Sequence, residues 1–141
     1  MKTILLVDDD PQLRALFSLA LRRSGYRVIE ADSGMAGLQL ARQEMPDLIL
    51  SDIDMPEGDG ASLLRDIRLD PELRSKQVVL MTGRPDLLTP RMQMEEGADD
   101  FLIKPVSLQA FLSCVKARFD VAPLGERKES EMVIQLRPSI S

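Results

Sequence analysis

The feature that most limits how this chain can fold is an alternation: short apolar runs rich in Val, Ile and Leu are separated by longer segments whose apolar residues recur at helical spacing. The runs are Ile4 to Val7, Tyr26 to Ile29, Leu48 to Leu50, Val78 to Met81 and Phe101 to Ile103. Each is too short and too apolar for an amphipathic helix and reads as a strand. After the first run, Leu13, Leu16, Phe17, Ala20 and Leu21 share one helical face. Asp10 followed by Pro11 supplies a start signal for that helix, and Gly25 a stop. Ser33 to Glu44 and Ala61 to Leu69 read as the second and third helices, the latter with Leu63, Leu64 and Ile67 on one face. Pro85 and Pro90 restrict the next segment, which places a fourth helix after Pro90 and makes Met92 to Glu96 helix packing. From Ser107, the pattern Leu108, Phe111, Leu112, Val115, Phe119 gives a fifth helix.

Strict alternation of this kind implies right-handed crossovers and a parallel sheet with helices on both faces, an α/β doubly wound fold. A chain of 141 residues suits one such domain. No apolar run approaches the roughly 18 to 20 residues of a membrane helix, and the first run turns acidic at Asp8, so neither a membrane anchor nor a signal peptide is expected. A net charge of -5 argues against a surface built to neutralise nucleic-acid phosphates. The single cysteine, Cys114, sits in a helical pattern between Phe111 and Val115 and reads as a core thiol in a reducing cytoplasm. There is no histidine, which excludes His-ligated metals, Ser-His and Cys-His pairs, and a phosphohistidine of the chain's own.

Parallel sheets bind ligands beyond the carboxyl ends of their strands. The residues that follow the apolar runs must gather there: Asp8 and Asp9, Asp52, Thr82 and Lys104. Three carboxylates brought together in a partly dehydrated cleft repel one another and call for a cation. Hard oxygen ligands without His or Cys suit Mg²⁺ or Mn²⁺. Asp9 and Asp52 are the expected direct ligands, with Asp8 acting through water and the Asp54 backbone carbonyl completing the protein's share. An aspartate carboxylate can attack phosphorus to form an acyl phosphate, and Asp52 is the candidate nucleophile. Phosphoryl transfer loads charge onto equatorial oxygens, for which Lys104 supplies a cation and Thr82 a hydroxyl.

Set in this order, VDDD, SDIDMPEGDG, LMTGRP and FLIKP resemble the four signatures of the response-regulator receiver family over about residues 1 to 119. The resemblance implies a flavodoxin-like five-stranded sheet in the order 2-1-3-4-5 with five helices. It further implies a cis peptide between Lys104 and Pro105, and a switch pair formed by Thr82 and Phe101. Phe101 has no hydroxyl, which removes any hydrogen bond a tyrosine would make there, and Gly83 keeps the position after the threonine small. A regulatory phosphoacceptor is implied rather than an enzyme, capable only of self-phosphorylation and slow autodephosphorylation. Its expected donor is a histidine kinase or a phosphotransfer protein in the cytoplasm. No direct nucleic-acid or membrane contact is expected, while a homodimer is compatible with the family.

Other readings compete. Asp8 and Asp9 as helix caps are redundant with Asp10. Asp52-Ile53-Asp54 resembles the nucleophile motif of haloacid-dehalogenase-type phosphatases, but it stands on the third strand and is followed by Met55 and Pro56. A calcium loop begun at Asp52 fails, because Pro56 takes a ligand position and Leu63 stands where a Glu is needed. Asp99 and Asp100 read as solvated loop residues. The resemblance implies that Asp54 and Arg84, each two residues past a site residue, flank the phosphoryl group. There Asp54 either orients hydrolytic water or, as the opposite charges favour, pairs with Arg84 and closes the mouth of the site. Residues 120 to 141 read as a linker or tail, with Glu131 to Arg137 able to start a helix into a further domain. The chain is then either a stand-alone receiver acting on an output protein or the receiver of a longer hybrid kinase or effector protein.

Overall fold

The computed structural model describes residues 1–56, 59–87 and 97–120. Its strands are β1 (Thr3–Val7), β2 (Arg27–Ala31), β3 (Leu48–Asp52), β4 (Gln77–Thr82) and β5 (Asp100–Ile103). They pair in parallel in the order β2-β1-β3-β4-β5. The helices α1 (Pro11–Arg23), α2 (Gly34–Glu44), α3 (Asp59–Leu69) and α4 (Leu108–Phe119) alternate with them, and a 3₁₀ turn spans Pro85–Leu87. The helix expected after Pro90, with Met92 to Glu96, and the tail lie outside the described residues. No helix among the described residues is long and apolar enough to cross a membrane.

Period-two alternation along the central strands divides the interior into two cores. Leu5 and Val7 of β1, Ile49 of β3 and Val78 and Leu80 of β4 pack on one face with Ala41 of α2 and Leu63, Leu64 and Ile67 of α3. Ile4, Leu6, Leu48, Leu50, Val79 and Met81 point the other way, onto Phe17 and Leu21 of α1 and Phe111 and Val115 of α4. On that second face the rings of Phe17 and Phe111 stack with centroids 4.3 Å apart. Both faces being covered explains why the central strands carry apolar residues at successive positions rather than at every second one.

Local signals fix the helix ends. The Asp10 side chain accepts from Gln12 N and Leu13 N at the start of α1, Ser33 accepts from Ala36 N at α2, and Ser107 from Ala110 N at α4. After α1 the chain turns at Gly25, whose φ of 96° is a left-handed conformation that glycine adopts without a Cβ clash.

Several boundaries differ from the sequence expectation. β2 begins at Arg27 and not at Tyr26, because the Tyr26 amide bonds back to Leu21 O in the turn and its ring packs against Phe119. β3 and β4 run on through Asp52 and Thr82, since ladder pairing continues past the apolar residues: Asp52 lies opposite Met81, and Thr82 opposite Ile103. α3 begins at Asp59, two residues before Ala61.

The expectation that Asp99 and Asp100 are solvated loop residues is corrected. Asp99 is an anchor: its Oδ2 sits 2.9 Å from Arg68 Nη2, with only 9% and 5% of the Arg68 and Asp99 side chains exposed, and the same oxygen accepts from Val78 N. Asp100 opens β5, and its Oδ2 lies 3.8 Å from the Cys114 sulfur. Burial and that nearby carboxylate push the Cys114 thiol up to about 12.

Candidate functional site

The carboxyl ends of β1 and β3 place Asp8, Asp9 and Asp52 so that one carboxylate oxygen from each lies within 4.8 Å of the others. Asp8 and Asp52 are buried, and Asp9 is exposed. Asp8 Oδ1 accepts from Asp10 N at 2.9 Å. Its Oδ2 is buried and, among the described residues, has no hydrogen-bond partner. Burial, reinforced by the charges of Asp52 and Asp9, raises the Asp8 pKa to about 6 against the opposing pull of the Asp10 N–H and Lys104. An orphaned buried carboxylate oxygen facing two further carboxylates is an arrangement that a hard divalent cation fits.

Asp52 is held from two sides. Its Oδ1 accepts from Asp54 N at 2.9 Å, and its Oδ2 lies 2.9 Å from Lys104 Nζ. Desolvation works to lower the Lys104 pKa, but the hydrogen bond and charge of Asp52, with the charges of Asp8 and Asp54, outweigh it and leave the ammonium raised. The strands deliver Lys104 to this place: its amide donates to Thr82 O at 2.8 Å, just past the end of β5, and the peptide to Pro105 is cis.

Thr82 is fully buried. Its hydroxyl donates to Asp54 Oδ1 at 2.7 Å and accepts from Arg84 N at 2.9 Å, while Gly83 N donates to Asp54 Oδ2 at 2.7 Å. The expected pairing of Asp54 with Arg84 is therefore corrected. Both Asp54 oxygens are taken by the hydroxyl and amide at the end of β4, and the Arg84 guanidinium turns to Asp86, 3.2 Å away and two residues along the same turn. Phe101 is half-buried against the core that includes Leu80. Since Leu80 lies opposite Phe101 and Thr82 is two residues beyond Leu80, Thr82 and Phe101 address the same face of the sheet. A Cβ added at Gly83 would lie 3.7 Å from Asp54 Oδ2 and 3.8 Å from Lys104 Cβ, so the structure has room for a slightly larger residue there.

Two contributors were not singled out from the sequence. Arg14 of α1 donates from Nη1 to the Asp8 carbonyl at 2.7 Å, and its Nε pairs with Glu30 of β2 at 3.3 Å, tying the acidic turn to the neighbouring strand. The helical face pattern marked Arg14 only as polar. Gly60, in the first turn of α3, lies so close to the end of β3 that an added Cβ would fall 2.6 Å from Asp52 O.

Comparison with known proteins points the same way. Residues 4–116 match the family model described as response regulator receiver domain. The chain is 37% identical over 131 residues to the transcriptional regulatory protein AfsQ1 of Streptomyces coelicolor, covering 93% of this chain and 56% of that protein. It is 38% identical over 114 residues to histidine kinase P4 of Formosa agariphila, covering 81% of this chain and 8% of that one. The chain thus spans only part of the length of these relatives. A solved structure of a putative response regulator from Chloroflexus aurantiacus superposes with a TM-score of 0.75 at 32% identity, covering 84% of this chain and 98% of that one. A parallel sheet in the order 2-1-3-4-5, with its acidic and cationic side chains at the carboxyl edge and a family match over most of its length, belongs to the receiver domains of two-component response regulators.

Proposed function

We propose that this domain accepts a phosphoryl group on Asp52 and relays the signal by a change of conformation. The observation that carries the reading is the pairing of Asp52 Oδ2 with Lys104 Nζ beside the clustered carboxylates of Asp8 and Asp9. In the transfer, a carboxylate oxygen of Asp52 forms the new O–P bond as the N–P bond of a phosphohistidine donor breaks, and the imidazole nitrogen leaves with the electron pair. Lys104 balances negative charge on the phosphoryl oxygens, and the Thr82 hydroxyl turns to donate to one of them. Phe101, behind Thr82 on the same face, follows inward and carries the change toward the outer surface of β5. Asp9, Asp52 and the Asp54 backbone carbonyl, with Asp8 acting through water, would hold a Mg²⁺ or Mn²⁺ ion, which would supply positive charge to the crowded carboxylates and the incoming phosphoryl group.

The donor is a histidine kinase or a phosphotransfer protein, and the domain works in the cytoplasm over residues 1 to 119, with 120 to 141 as a linker or tail. Its partial coverage of a transcriptional regulator and of a kinase favours a second reading, in which it is the receiver portion of a longer regulator or hybrid kinase. Acetyl phosphate with Mg²⁺ tests the acceptor directly. Intact-mass measurement is expected to find one added phosphoryl group on the parent and none on Asp52→Ala, and an Asp52→Ala protein phosphorylated as fully as the parent would exclude Asp52.

A further inference from the structure

The contacts at the end of β4 carry a consequence for switching that rests on the phosphoacceptor reading. A threonine hydroxyl has one proton, and the one on Thr82 is given to Asp54 Oδ1 at 2.7 Å. The Gly83 amide also has one proton, given to Asp54 Oδ2 at 2.7 Å. Arg84 N donates to Thr82 Oγ1 at 2.9 Å and occupies one of its two lone pairs, so the hydroxyl proton is not needed on that side and goes to the carboxylate. Two short bonds to one ionised acceptor are of the stronger, charge-assisted kind. The backbone N–H of Asp54 is meanwhile bonded to Asp52 Oδ1, so the residue that holds the threonine is itself anchored on the acceptor.

We propose that the Asp54 side chain is a latch: in the unphosphorylated protein it occupies the Thr82 hydroxyl and the Gly83 N–H, and phosphorylation must take both donors from it. The carboxylate and the phosphoryl group are both anionic acceptors competing for the same two protons. Asp54 thereby acts as a positioning residue through Thr82 and sets the equilibrium between off and on states. This role is separate from that of its backbone carbonyl, which survives any substitution of the side chain. Asp54 is solvent-exposed, which limits the latch to an effect on the order of tenfold in an equilibrium constant.

The test uses beryllofluoride with Mg²⁺ as a mimic of the bound phosphoryl group, and amide hydrogen exchange on the protein alone. Without any mimic, Asp54→Ala is expected to speed exchange of the Gly83 amide, and unchanged exchange would mean the latch does not form in solution. With the mimic, Asp54→Ala is expected to tighten binding roughly tenfold. Removing a negative charge would by itself favour an anionic ligand, so the same substitution is repeated in a Thr82→Val background. There the gain is expected to fall to about threefold or less, because the hydroxyl is no longer there to be released. Equal gains in both backgrounds would reduce the effect to charge repulsion and overturn the latch. Asp54→Asn, which removes the charge and keeps the shape, carries the same comparison should Asp54→Ala fold poorly. A parent protein that protects Gly83 but fails to bind beryllofluoride would instead remove the phosphoacceptor reading, and with it the switching role of the contact.

Discussion

At the amino ends of β4 and β5, the buried Arg68 guanidinium donates to Gly97 O at 2.8 Å, to Arg74 O at 3.0 Å, to Lys76 O at 2.6 Å and to Asp99 Oδ2 at 2.9 Å. In the Arg68–Asp99 pair one cation meets one carboxylate, and the same guanidinium also donates to three backbone carbonyls. At the carboxyl ends of the same sheet, three carboxylates gather within 4.8 Å of one another beside the Lys104 ammonium, and among the described residues the buried Asp8 Oδ2 has no hydrogen-bond partner. Both regions bury charge, but the Arg68–Asp99 pair matches one cation to one carboxylate, whereas at the other end carboxylates outnumber the ammonium. The network closed around Arg68 ties α3, the turn before β4 and the start of β5 together, whereas the unmatched carboxylates hold the folded state in an unfavourable electrostatic arrangement that an added cation would relieve. The contrast separates charge that serves the fold from charge reserved for chemistry.

Breaking the closed end should have the largest effect. Arg68→Ala would take the salt-bridge partner from the buried Asp99 carboxylate and a donor from three carbonyls, and removing one partner of a buried ion pair costs about 3 to 5 kcal/mol. Arg68→Lys is expected to recover little, because an ammonium cannot reproduce the planar fork that reaches four acceptors. Urea unfolding measures both. A loss of less than about 1 kcal/mol for Arg68→Ala would show that this end is not the structural anchor described here.

At the open end the sign should reverse. Burial pushes the Asp8 carboxyl up to about 6, above the ordinary carboxylate range, so the folded state holds its proton more tightly than the unfolded chain. Its contribution to stability is full below about pH 4 and is lost as pH rises through about 6. Two pH units correspond to about 3 kcal/mol at most. Asp70, whose carboxyl is held low by the Glu72 amide and then by Arg42, produces its slope below that window and does not obscure it. In a buffer with EDTA, the parent is expected to lose stability between pH 4.5 and 7.5. Asp8→Asn should flatten that loss and be the more stable protein at pH 7.5. An Asp8→Asn protein less stable than the parent at pH 7.5 would mean that the carboxylate contributes contacts the crowding argument omits.

The same contrast explains what could be read from the sequence. The strand positions and the gathering of Asp8, Asp9, Asp52, Thr82 and Lys104 follow from apolar periodicity and from the rule that parallel strands present their carboxyl ends to ligands, whereas the strand order 2-1-3-4-5 is what the resemblance to the receiver family implies. The closed network was invisible because its members are not neighbours: Arg68 and Asp99 stand 31 positions apart, and Asp99 in isolation follows a glycine as any loop residue would. The partner of Asp54 was misjudged for a related reason. Opposite charge suggested Arg84, but a hydroxyl and an amide already fixed at the end of β4 offer donors that need no long side chain to be ordered, and Arg84 finds Asp86 closer along the chain. Chain order also conceals Arg14, whose role depends on reaching back over one helical turn to the Asp8 carbonyl.

Gly60 offers the smallest and sharpest test, because it lies where the apolar scaffold meets the open end. No left-handed conformation requires glycine there; the constraint is proximity, with an added Cβ falling 2.5 Å from Ile53 Cα and 2.6 Å from Asp52 O, both backbone atoms that cannot swing aside. Gly60→Ala must therefore push the first turn of α3 off the end of β3, and overpacking of this kind costs about 1 to 3 kcal/mol. The displaced strand end carries Asp52 and, one residue on, the Ile53 amide that donates to Met81 O, so the site should be disturbed along with the packing. Gly83→Ala is the matched control: its Cβ would meet only ordinary van der Waals contacts, at 3.7 Å from Asp54 Oδ2 and 3.8 Å from Lys104 Cβ. Thermal unfolding and phosphorylation by acetyl phosphate are expected to separate the two, Gly60→Ala losing both stability and acceptor activity and Gly83→Ala retaining its stability. If Gly60→Ala lost stability but accepted phosphate as the parent does, the site would be insulated from the packing beneath it, and the line between the structural and the chemical regions would have to be drawn above Gly60, at the side chains alone.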